Sequence, residues 1–104
     1  MFGFGAKYEN ITAAEIEKEM DQGAIILDIR NDQAFASGHI KEAINIPIRN
    51  LPFNMSKLDK DKTVLVICYV GGSSRTAANI LTKAGYTVKN VVGGMESYNG
   101  PLVK

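Results

Sequence analysis

The chain has 104 residues, 45% apolar and 22% charged, with a formal net charge of +1, a balance that suits one folded domain over residues 1–104 and excludes a disordered chain. So small a net charge gives no footprint for nucleic acid or a membrane surface, and no apolar run approaches the roughly 20 residues that span a bilayer. The single cysteine excludes an internal disulfide and, with one histidine, a Cys/His zinc cage, so a free thiol in a reducing cytoplasm is expected.

Met1-Phe2-Gly3-Phe4-Gly5 is apolar but too short for a signal-peptide core, and is expected to form a loose N-terminal arm. Thr12 followed by Glu15 reads as a capping box. Ala13, Ile16 and Met20 then recur at helical spacing until Gly23. Ala24-Ile25-Ile26-Leu27-Asp28-Ile29 is a continuous apolar run with one charge near its end, the pattern of a strand buried on both faces. Asp32 can open a short helix carrying Ala34 and Phe35, which Gly38 stops. Ala43-Ile44-Asn45-Ile46 reads as a second short strand closed by Pro47, and the charged stretch from Lys57 to Lys62 as a solvated turn. Val64-Leu65-Val66-Ile67 is the strongest strand. Cys68 follows it directly, and Tyr69-Val70-Gly71-Gly72-Ser73-Ser74 leads into a helix with Ala77, Ala78, Leu81 and Ala84 as its apolar stripe. Thr87 to Val92 is another strand, and Gly93-Gly94 leads into a short terminal helix around Ser97 and Tyr98. Strands alternating with helices imply an α/β fold with a mostly parallel sheet covered on both faces. Ligands in such sheets bind beyond the carboxyl ends of the strands, where Cys68 and Asp28 both sit.

The segment after Cys68 is built for an anion. Adjacent glycines permit positive φ and close approach of amides. A loop of this kind entering a helix can turn successive N–H groups inward, and the helix N-terminus adds positive potential. A thiolate there would be stabilised, and so would an anion built on the sulfur. The competing interpretation is a buried cysteine that only extends the core. The dinucleotide pattern G-x-G-x-x-G and the phosphate-loop pattern G-x-x-x-x-G-K-[ST] are both absent.

These residues resemble the rhodanese family over nearly the whole chain. Leu27-Asp28-Ile29-Arg30, then Phe35, Gly38-His39-Ile40, Ala43 and Asn45-Ile46-Pro47, are similar to its N-terminal signature. Cys68 through Ser74 resembles its active-site loop, and Ala77-Ala78, Leu81, Gly85-Tyr86 and Gly93-Gly94 fall where its closing motif lies. The closest resemblance is to small single-domain bacterial thiosulfate sulfurtransferases, in which Tyr also follows the cysteine. The resemblance implies a five-stranded parallel sheet with helices on both sides, and a cysteine persulfide enzyme that needs no metal or cofactor. Cys68 would be nucleophile and sulfur carrier, Tyr69, Val70, Gly71, Gly72 and Ser73 would form the cradle, and Ser74 would stand at the helix entrance. Sulfur would pass from thiosulfate or another sulfane donor to cyanide in an assay, or to a thiol in a cell. The alternative is a persulfide-carrying or sulfide-sensing module that receives sulfur from a protein partner.

Two departures stand out. Many members carry Arg directly after the cysteine or at the end of the loop, where this chain has Tyr69 and Ser73. The nearest cation along the chain is Arg75, which is expected either to meet the charged end of a donor or to face outward as a surface arginine. Tyr98 replaces a frequent Trp. Phosphatases of related fold use Cys-x5-Arg, but here the sixth place after Cys68 holds Ser74, so the bidentate phosphate clamp is missing. By the same resemblance His39 is expected to hold structure rather than to act as a base. The pair Asp28 and Arg30 is expected to fix the loop below Cys68 in preference to touching substrate.

Overall fold

A computed structural model describes residues 7–104; the expected arm Met1–Gly5 lies outside the described residues. In chain order the regular elements are β1 (Glu9–Thr12), α1 (Ile16–Asp21), β2 (Ile25–Asp28), α2 (Asp32–Ser37), β3 (Ile44–Asn45), α3 (Leu51–Asn54), β4 (Val64–Ile67), α4 (Ser73–Lys83) and β5 (Val88–Val92). Short 3-10 turns lie at Ala13–Glu15, Ile48–Asn50, Met55–Lys57 and Gly94–Ser97. The strands form one sheet in the order β1-β5-β4-β2-β3, and every neighbouring pair is parallel. The α/β class and the parallel sheet are as the sequence implies.

Alternation along the central strand explains the layers. Successive side chains of a strand point to opposite faces. Val64 and Val66 join one apolar cluster with Leu27, Ala77, Ala78 and Leu81, while Leu65 and Ile67 join a second with Ile11, Ile16, Ile26 and Val91. The first cluster places α4 over one face and the second places α1 over the other. All four residues of β4 are buried, so both sides of this strand serve as core, and the apolar run without alternation follows from that.

Two regions differ from the sequence reading. β1 is an edge strand with Ile11 as its one buried residue, too weak an apolar signal to stand out beside the helix that follows. Residues 48–57 coil through two 3-10 turns and α3, whose lengths are too short for helical periodicity to register. At the N-terminal end of the first helical segment, Glu15 Oε1 accepts the backbone N–H of Thr12 at 2.9 Å and its hydroxyl at 3.0 Å. Beside it, Lys89 on β5 reaches Glu19 of α1 at 2.8 Å, and this hydrogen bond raises the Lys89 pKa above its ordinary value. No helix among the described residues is long and apolar enough to cross a membrane.

Candidate active site

Sheet register brings two loops together. Asp28 lies opposite Ile67, and the Ile29 N–H donates to the Ile67 carbonyl at 3.0 Å. The residues that leave β2 (Ile29-Arg30-Asn31) therefore stand beside those that leave β4 (Cys68-Tyr69-Val70). Between them opens a cavity of about 510 Å³. One wall is made by Cys68, Tyr69, Val70, Gly72 and Ser73, the other by Arg30, Asn31, Ala34 and Ser37, with Ile29 and Ile48 completing it. The position matches the rule for parallel sheets, a site beyond the strand carboxyl ends.

The cysteine wall is held almost wholly by backbone. Cys68 is 5% exposed, and its Sγ accepts the Gly71 N–H at 3.0 Å. Gly71 has φ +100°, and a Cβ there would lie 2.9 Å from the Gly93 nitrogen, so the residue answers both to conformation and to space. The Cys68 and Tyr69 carbonyls are taken up by the Met95 and Glu96 N–H groups at 2.7 and 2.9 Å. Gly94, with φ +56°, lies so close under those carbonyls that any Cβ would run into them. The Gly93-Gly94 turn is thus a clasp on the cysteine loop. The sequence reading places Gly93-Gly94 at the way into a terminal helix and within the closing motif, but not against the cysteine loop; a double glycine directly after a strand is the available signal. Gly72 has φ −77°, so of the two loop glycines only Gly71 uses the left-handed region. The amides of Val70, Gly72 and Ser73 make no hydrogen bond among the described residues.

α4 begins at Ser73, with Gly72 as its N-cap. Ser74 is fully buried. Its hydroxyl lies 3.1 Å from the Gly71 carbonyl and against the side-chain amide of Asn90, which in turn donates to Asn10 Oδ1 at 3.0 Å. Ser74 and Asn90 therefore tie the start of α4 to β5 and β1. Asn90 is a buried polar residue that sequence reasoning passed over, since its partner is distant in the chain. Arg75 is exposed and is not part of the cavity wall.

The opposite wall is held by side chains. Asp28 is fully buried. Its carboxylate accepts Arg30 Nε at 3.0 Å, Arg30 Nη2 at 2.7 Å and the Arg30 backbone N–H at 3.0 Å. Arg30 Nη2 also donates to the Gly38 carbonyl at 2.8 Å, and Asn45 Nδ2 donates to the carbonyls of Asp28 and Arg30, each at 2.9 Å. The pair fixes the loop, as the sequence implies, and Arg30 also lines the cavity, the one charged residue to do so among the described residues. His39 stands apart from the cavity. Its Nδ1 lies 2.8 Å from the Phe35 carbonyl, its ring stacks on Phe35 at 3.7 Å, and its backbone pairs with Val103. Those contacts are structural.

Comparison with known proteins agrees with this geometry. The chain is 38% identical over 90 residues to a putative sulfurtransferase YtwF of Bacillus subtilis (strain 168), covering 86% of this chain and 87% of that one. It is 33% identical over 91 residues to the thiosulfate sulfurtransferase GlpE of Pseudomonas savastanoi pv. phaseolicola (strain 1448A / Race 6), covering 86% of each. The crystal structure of a rhodanese-related protein from Thermoplasma volcanium superposes with a TM-score of 0.86 at 32% identity, over 92% of this chain and 98% of that one. The Rhodanese-like domain model matches residues 12–100, and the chain belongs to that family, whose chemistry is of the sulfurtransferase type.

Proposed function

We propose that the chain is a thiosulfate sulfurtransferase in which Cys68 carries the transferred sulfur as a persulfide. The observation that carries this reading is the Gly71 N–H directed at Cys68 Sγ at 3.0 Å, on the wall of a cavity large enough for a small anion. A hydrogen bond to an ionised sulfur is stronger than one to a neutral thiol, so this N–H is placed to hold an anion carried on the sulfur. The Cys68 thiolate attacks the outer sulfur of thiosulfate. A bond forms between Sγ and that sulfur, the sulfur–sulfur bond of thiosulfate breaks, and its electron pair leaves with sulfite. The resulting persulfide anion rests beside the amides of residues 69–73, with Ser74 holding the start of the helix. An acceptor thiolate, or cyanide in an assay, then attacks the outer sulfur and returns Cys68 as a thiolate. Both half-reactions conserve charge and need no oxidant. The covalent route predicts ping-pong kinetics.

A second reading has its own support. Tyr69 and Val70, which line the cavity, are 60% and 54% exposed, and apolar side chains displayed at a reactive loop suit delivery of sulfur by a protein partner. Steady-state turnover with thiosulfate and cyanide, set beside turnover with a small-molecule persulfide, separates the two. Ping-pong turnover with thiosulfate that Cys68→Ser abolishes supports the enzyme. Turnover confined to persulfide donors favours the carrier, and thiosulfate turnover retained by Cys68→Ser contradicts both.

A further inference from the structure

We infer that the cavity wall after β2 is an oxyanion subsite, in which Arg30 receives the sulfonate end of the sulfur donor. The inference rests on the sulfurtransferase reading for the identity of the ligand, and on Arg30 itself for the site. A guanidinium carries five N–H donors. In Arg30, Nε and Nη2 are spent on Asp28 and the Gly38 carbonyl, while Nη1 has no hydrogen bond among the described residues. Both oxygens of Asp28 are engaged by Arg30, and no carboxylate lines the cavity among the described residues. The group left for a ligand is therefore a planar donor with two N–H bonds, held in place through Asp28 and the Gly38 carbonyl. Its side chain is 12% exposed, which keeps it from full solvent screening.

Orientation adds to this. Arg30 and Cys68 leave adjacent parallel strands in the same direction, and both line the cavity. A thiosulfate ion spanning the cavity can present its outer sulfur to Cys68 Sγ and its three oxygens to the β2 wall. Arg75, the nearest cation along the chain, lies outside that wall. Asn31 adds a second polar group there: its Oδ1 is occupied by the Ala34 N–H at 2.7 Å, which leaves its amide NH₂ as the free end. The sulfite released in the first half-reaction carries the same three oxygens, so the same wall receives it as it leaves.

Two alkylating agents of nearly equal size report on the subsite without any turnover. Iodoacetate is an anion and iodoacetamide is neutral, so the ratio of their rates at Cys68 reads the recognition of negative charge. Arg30→Lys keeps a cation for Asp28 but gives up the planar fork, and the ratio should fall by about three-fold. Asp28→Asn/Arg30→Met removes both charges together, and the ratio should fall by about ten-fold, with a rise of similar size in KM for thiosulfate and a smaller change in kcat. A cooperative thermal transition establishes that each variant is folded; if the double variant is not, Arg30→Lys decides alone. A ratio within about two-fold of the parent in every folded Arg30 variant overturns the inference, since one charge-assisted contact is worth more than that. A fall on Arg75→Ala with none on Arg30→Lys overturns it equally. Should the ratio fall as expected in a chain that does not turn over thiosulfate, the oxyanion subsite stands and the proposed function does not.

Discussion

The loop that leaves β2 and the loop that leaves β4 meet at one cavity, and they are held in opposite ways. After β2, side chains do the holding: buried Asp28 takes the Arg30 guanidinium, Arg30 reaches Gly38, and Asn45 closes over two carbonyls. After β4, the backbone does it: the Cys68 and Tyr69 carbonyls bond to the turn at Met95 and Glu96, and glycines allow the two segments to touch. The consequence is a division of labour. Side-chain bonds make the first wall rigid and charged, while the second keeps its amides free for a ligand. A site that must stabilise an anion on sulfur needs donors that have no other partner, and on the second wall these are backbone amides.

The sharpest way to break the comparison is to remove one member of the buried pair. Arg30→Ala leaves the Asp28 carboxylate buried and unpaired, and breaking a buried pair in this way costs about 3–5 kcal/mol. In a chain of this size that lowers Tm by more than about 10 °C. Asp28→Asn/Arg30→Met, which leaves no uncompensated charge, should lose much less. Equal losses in the two variants, read by thermal denaturation, would mean that packing rather than charge holds the β2 wall.

A smaller effect is expected at the clasp. Gly94→Ala forces a side chain into the left-handed region, at about 1–3 kcal/mol, and pushes the new Cβ against the cysteine loop. It should therefore lower sulfurtransferase turnover more than the loss of folded protein explains. Gly72→Ala is the counterpart: no atom lies within 4 Å of a Cβ there and its φ is ordinary, so stability should stay within about 0.5 kcal/mol. A Gly94→Ala protein with unaltered activity and Tm would remove the clasp from the account.

The same contrast explains what the sequence could reveal. β2 and β4 were legible because a parallel strand buried on both faces reads as an unbroken apolar run, and the cysteine wall was legible because it is contiguous from Cys68 to Ser74. The Asp28–Arg30 pair was also within reach, since its members are two residues apart. The rest of the cavity was not. Ala34, Ser37 and Ile48 join it only through the strand order β4-β2-β3, and spacing along the chain carries no trace of that order. Distance along the chain likewise singled out Arg75, seven residues after Cys68, as the nearest cation, while Arg30, which lines the cavity, leaves the neighbouring strand. The role of Gly94 was hidden for a related reason: it depends on carbonyls some 25 residues earlier.

The central claim is that Cys68 holds the transferred sulfur, and mass spectrometry of the intact protein tests it most directly. After incubation with thiosulfate and removal of excess reagent, the protein should be heavier by one sulfur atom. Peptide mapping should place that atom on Cys68, and cyanide should return the original mass with release of thiocyanate. Cys68→Ser should gain nothing under the same treatment. An unchanged mass in a parent protein that nevertheless turns over thiosulfate, or a sulfur adduct that survives Cys68→Ser, would contradict the account.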